Sequence, residues 1–169
     1  MISLQKISTV YVDHEDRIHV AGALLNGDTI VIWLTQRMLR LLIPCLTDWL
    51  QKTDTVAGAA AAAADEVQSF RQLAAKASIE HQAPVAATGK SLSWLVSGVD
   101  YRFNSHIIHL TFKGRANETA GLDLSLPACR QWLSILYDAY RQANWPMDAW
   151  PDWISQAKTQ NLDTPIVRH

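Results

Sequence analysis

"TIVIWLTQRMLRLLIPCLTDWL", Thr29 to Leu50, is the most apolar stretch of the chain. A membrane span needs about 20 residues with few or no charges. This stretch carries Arg37, Arg40 and Asp48, with Pro44 between them. At about 100° per residue, Gln36, Arg37, Arg40, Pro44, Thr47, Asp48 and Gln51 fall within about 120° of arc. Met38, Leu39, Leu41, Leu42, Ile43, Cys45, Leu46, Trp49 and Leu50 fill the remainder, which predicts an amphipathic helix over 36–52 with a wide buried face. The preceding "DTIVIWL" is β-branched, apolar and bounded by the turn signal Asn26-Gly27-Asp28, so it reads as a strand. Thr35 at the junction suits the N-cap. Pro44 costs one helical hydrogen bond, and either a kink or a second helix start is expected there.

The same pattern returns 90 residues later. Tyr11 aligns with Tyr101, Ile18 with Ile108, His19 with His109 and Thr29 with Thr119. Leu34 aligns with Leu124, Arg40 with Arg130, Leu46 with Leu136 and Asp48 with Asp138. The helix phase repeats as well: Arg130, Ser134, Asp138 and Arg141 occupy the arc of Arg40, Pro44, Asp48 and Gln51, and Ser125 replaces Thr35 as cap. Two unrelated α+β units sharing generic patterning are the alternative; duplication is the reading adopted.

The fold class that follows is α+β. Two tandem βββα units carry antiparallel sheets packed against helices and are joined by an Ala-rich helix. Strands are expected at 5–13, 16–25 and 28–34, then at 93–103, 106–113 and 119–125, with a second helix over 126–143. Residues 1–55 form the first unit, 56–92 the Ala-rich helical connector and linker, 93–144 the second unit and 145–169 a Trp-rich tail, together one compact pseudo-symmetric domain. Within the connector a helix is expected over 58–80, and a linker over 82–92. A short helix beginning at Pro151 is expected in the tail, with loose residues after it.

Composition bounds the function. The chain has 169 residues, 49% hydrophobic and 18% charged, which is globular composition. The net charge of −1 gives no electrostatic reason for nucleic acid or an anionic membrane as partner. The N-terminus, "MISLQKISTVYVDHEDRIHV", lacks the basic and apolar regions of a signal peptide. Cys45 and Cys129 read as reduced thiols, and a cytoplasmic location is expected.

Most candidate chemistry falls away. "ATGKS", residues 87–91, ends like a phosphate-binding loop, but Pro84 stands where the motif needs glycine and no apolar strand precedes it. His106 and His109, three apart on a strand, face opposite sides, whereas His19 and His109 as repeat equivalents could meet across an axis. Solvent-facing histidines are the commoner case. "DHED", residues 13–16, reads as a solvated hairpin tip, where carboxylates lack a pocket to separate their pKa values. No serine sits in a nucleophile elbow. No catalytic residue, cofactor or metal is expected.

Two candidate binding groups remain. Arg37, Arg40, Arg130 and Arg141 lie on the polar helix faces and would form a basic stripe if the helices packed side by side. Asp48 and Asp138 share those faces, so a solvated face with local ion pairs is the favoured reading. Trp145, Trp150 and Trp153 are either an aromatic platform or a plug on the core, and the plug is favoured. The function expected is a non-enzymatic interaction, scaffold or adaptor protein with a protein partner or self-association. The alternative is a small-ligand or nucleic-acid binding module using the arginines or tryptophans.

Overall fold

The computed structural model describes residues 2–55 and 60–159. The chain forms β1 (Ile2–Val12), β2 (Arg17–Leu24), β3 (Thr29–Leu34), α1 (Gln36–Thr53), α2 (Ala61–Ala77), β4 (Leu92–Leu95), β5 (Gly98–Phe103), β6 (Ile107–Lys113), β7 (Thr119–Ser125), α3 (Leu126–Gln142) and α4 (Asp152–Thr159). The class is α+β, as expected. The expected loose residues at the end of the tail lie outside the described residues.

Both caps form. The Thr35 hydroxyl accepts from Met38 N at 3.2 Å, and that of Ser125 from Ala128 N at 3.4 Å. Each satisfies one of the free N–H groups of a first turn. Of the two outcomes expected at Pro44, a second helix start does not occur: α1 runs through it as one helix. Pro44 and Arg40 are both exposed, so the carbonyl that proline leaves free sits at solvent. Below it, the Thr47 hydroxyl donates to the carbonyls of Ile43 and Pro44, both at 3.1 Å.

The strands depart further from expectation. They form one mixed sheet in the order β4-β3-β2-β1-β7-β6-β5, with parallel pairings at β1–β7 and β3–β4. The single strand expected over 93–103 is two strands, one at each edge of that sheet. The chain crosses between the edges at Val96 and Ser97. Val96 N donates to Trp33 O at 3.0 Å and Ser97 N to Lys113 O at 2.8 Å. Two edges bridged by two residues require the sheet to curl.

The registers echo the 90-residue offset. Shifted by 90 residues, the pair Leu92–Ile30 becomes Ile2–Ala120, and Ile108–Leu124 becomes Ile18–Leu34. The first hairpin of each half differs by two positions. Tyr11 pairs with Ile18, whereas Phe103 pairs with Ile108. Phe103 therefore holds the place of Tyr11, although the sequence aligns Tyr101 there. The second hairpin tip is shorter, and the bend at Val96–Ser97 restores the count.

One core joins the sheet to the helices. Ile18, Val20, Ile32 and Leu34 from one half meet Ile108, Leu110, Phe112 and Leu124 from the other, under Leu39, Ile43, Leu46, Leu133 and Leu136. Each long helix also reaches across. Trp132 Nε1 on α3 donates to Thr9 Oγ1 on β1 at 3.0 Å, and Trp49 Nε1 on α1 donates to Asn104 O beyond β5 at 2.9 Å. The molecule thus has an α3–β1 side and a corresponding α1–β5 side.

Candidate interaction face

The connector and the tail settle on the α3–β1 side. Helix α2 carries Gln68 and Gln72 inward, both buried. Gln72 Nε2 donates to Arg130 O at 2.8 Å and to Ser134 Oγ at 2.7 Å. Arg130 Nη2 donates to Asp54 Oδ2 at 2.9 Å and to Gln68 Oε1 at 2.5 Å. The guanidinium lies 5.5 Å from the ring centroid of Trp153 on α4. Asp54 also takes Arg71 Nη1 at 2.9 Å. Beyond α2 the chain follows β1: Lys6 Nζ donates to Ala83 O at 2.7 Å, and Val85 N to Ser8 Oγ at 2.7 Å. The expected linker is therefore tied to side chains of β1 at two points.

This overturns the expectation for Arg130. Its side chain is 3% exposed and belongs to a buried ion-pair network, not to a solvated stripe. Burial lowers its pKa, and the bond to Asp54 works in the opposite direction. Arg40 instead reaches Asp148 in the tail at 2.5 Å, with both side chains exposed. Arg37 and Arg141 are exposed at the first turn of α1 and the last turn of α3. The four arginines form no common stripe.

The three tail tryptophans are buried. Trp145 and Trp150 stand edge-on to Tyr140 at 5.0 and 5.3 Å, and Trp150 stands edge-on to Tyr137 at 5.1 Å. Trp145 Nε1 donates to Asp16 Oδ1 at 2.8 Å, and Tyr11 OH donates to the same oxygen at 2.9 Å. The cluster plugs the core and ties the tail to the first hairpin tip. The "DHED" tip thus spends one carboxylate on structure. Burial raises the Tyr140 phenol, and burial followed by the bond to Asp16 raises that of Tyr11.

His19 and His109 do not meet, because β1 and β7 lie between their strands. His19 stands edge-on to Trp33 at 5.0 Å, and His109 Nδ1 lies 2.7 Å from Asp123 Oδ1. Among the described residues no cluster of His, Cys, Asp or Glu is placed to hold a metal ion. Cys129 is buried, which pushes its thiol up to about 12, and Cys45 is half-buried; both are free thiols.

Clefts of about 390 and 550 Å³ flank Ile2 and Leu92 where the sheet curls together. Their carboxylates serve the local turns. Glu118 Oε2 accepts from Ala116 N at 2.8 Å, and Asp28 Oδ2 from Asn26 Nδ2 at 2.7 Å.

Among the described residues, none covers the α1–β5 side as α2, the segment after it and the tail cover its counterpart. Where Gln131 donates to Ser78 Oγ at 3.1 Å, the corresponding Leu41 is 66% exposed. Where Ser134 is buried under Gln72, Pro44 is exposed. On β5, Tyr101 and Phe103 are 46% and 56% exposed, with rings stacked at 6.3 Å and 13°. The neighbouring Cys45 side chain on α1, followed by burial and then the Asp48 charge, raises the Tyr101 phenol pKa. Leu41, Pro44, Tyr101 and Phe103 thus present apolar surface from two adjoining elements. Sequence reasoning missed them because Tyr101 and Phe103 alternate with Asp100 and Arg102 as core positions do.

No protein-family model, curated protein or solved structure matches this chain.

Proposed function

We propose that this is a non-enzymatic protein–protein interaction module, a scaffold or adaptor, whose contact surface is the α1–β5 side. The observation that carries it is the stacked, half-exposed pair Tyr101 and Phe103. Large apolar groups grouped on one face are costly in water and mark contact surfaces. The corresponding side of the same molecule needs a helix, an extended segment and a tail to cover it. The near-neutral charge suits a protein partner better than nucleic acid. The two halves are taken as an internal duplication of a βββα unit, supported by registers that recur at the 90-residue offset. A reducing, cytoplasmic setting accords with Cys45 and Cys129 as free thiols.

The alternative, small-ligand or nucleic-acid binding through helix arginines or tail tryptophans, is weaker. Its tryptophans are buried and Arg130 is committed to Asp54.

A photo-crosslinking residue placed at Phe103, at Tyr101 and at Phe70 tests the reading in the cells that make the protein. Phe70 on α2 is 70% exposed and serves as a control for mere exposure. The same discrete protein adduct from Phe103 and Tyr101, absent from Phe70, is expected. Equal labelling at all three positions, or none at Phe103 and Tyr101, would count against it.

A further inference from the structure

We infer that the open edge of β5 pairs antiparallel with β5 of a second copy of this chain, on a two-fold axis at Tyr101; this rests on the α1–β5 side being the contact surface. Among the described residues, strand β5 ends the sheet and pairs only with β6. Asn104 N donates to Ile107 O at 3.0 Å, which sets the phase of the ladder. By the alternation of an antiparallel pair, Arg102 and Asp100 direct their backbone groups to β6, while Phe103, Tyr101 and Val99 direct theirs outward. Unpaired outward groups on a terminal strand are a template for another strand.

The side chains select the partner. A two-fold axis at Tyr101 places Val99 opposite Phe103 of the copy, and Asp100 opposite Arg102 of the copy, twice over. Every contact in that register is complementary, as an isologous interface requires. Moving the axis to Asp100 sets two carboxylates face to face, and moving it to Arg102 sets two guanidiniums face to face. The register at Tyr101 is the one that the edge's charges favour. Asp100 and Arg102 are exposed, and Asp100 already forms an ion pair with Lys113 on the same sheet surface. The carboxylate would accept from Lys113 on one side and the copy's guanidinium on the other. On the opposite surface, the Tyr101–Phe103 stack of one copy continues into that of the next.

Strand β1, which holds the corresponding place on the other side, is contacted by the connector. There Ser8 and Lys6 are engaged by Val85 and Ala83 of the connector. Among the described residues no segment lies along β5 in the same way.

Light scattering over a wide concentration series, with Asp100→Arg and Arg102→Asp, tests the register. The unmodified protein is expected to associate to a dimer. Each reversal sets like charges opposite one another twice and raises the dimer dissociation constant about tenfold or more. Mixing the two variants restores both complementary pairs, so a heterodimer is expected from two weakly associating proteins. Recovery in the mixture also shows that both variants are folded. A monomer at every concentration, a dimer indifferent to both reversals, or a mixture that fails to associate would overturn the proposal. A monomer whose Phe103 crosslinker captures a different protein overturns self-pairing and leaves the interaction reading standing. A monomer with no adduct at Phe103 or Tyr101 removes both.

Discussion

Arg40 and Arg130 are the same residue at corresponding places on two helices, each capped by a hydroxyl side chain and sharing a buried arc. One is exposed and reaches a tail carboxylate; the other is buried between Asp54, Gln68 and Trp153. Their own helices do not cause the difference. Every buried position of α1, Leu39, Leu42, Ile43, Leu46, Thr47, Trp49 and Leu50, has a buried counterpart on α3. Helix α3 adds Arg130 and Ser134 because α2 and α4 lie on its polar face. An amphipathic helix defines one buried face, and whatever settles on the other decides the fate of its polar residues.

The contrast is sharpest in stability. Arg130→Met leaves Gln68 buried without its donor and strips Asp54 of one of its two guanidiniums, at a cost of about 3 kcal/mol or more. Arg40→Met breaks an exposed pair and costs under about 1 kcal/mol. Urea denaturation of both variants measures the gap. Equal losses would mean that the cover over α3 contributes little and would break the comparison at its centre.

The caps sharpen it from the other direction, since they precede the region where cover differs. Thr35→Ala and Ser125→Ala should each cost about 1 kcal/mol, matching within about 0.5 kcal/mol. Thermal unfolding reads both. A much larger loss at Ser125 would extend the influence of the connector to the first turn of α3.

Much of this architecture is legible in the sequence, because helix phase and strand alternation are local properties. The caps at Thr35 and Ser125 and the helices that follow them come from side-chain order alone. Three features were not legible, each for a reason beyond local pattern. The strand over 93–103 alternates normally through Val96 and Ser97, and only its pairing partner changes there, from β3 to β6. Arg130 falls on the polar arc of α3, and nothing in that arc announces a second helix lying over it. Tyr101 and Phe103 alternate as core residues do, but at the edge of the sheet they remain exposed. Of the expected site residues, the three tryptophans are buried in the core and Arg130 is buried against Asp54 and Gln68.

The smallest expected effect concerns His19, which stands 90 residues before His109 but in different surroundings. His109 meets Asp123, whereas His19 stands against the Trp33 ring, half-buried. Burial lowers the His19 pKa from 6.5, ahead of an opposing backbone hydrogen bond. Between the folded value and 6.5 the unfolded chain binds more protons than the native one, so stability rises with pH through that window. The contribution of neutral His19 is fully present above 6.5 and is lost as the pH falls to the folded value. Melting temperatures followed downward from neutral pH should therefore decline more steeply in the unmodified protein than in His19→Gln. Identical slopes would mean that the Trp33 side of the sheet treats the imidazole much as water does. The two histidines would then differ in partners without differing in consequence.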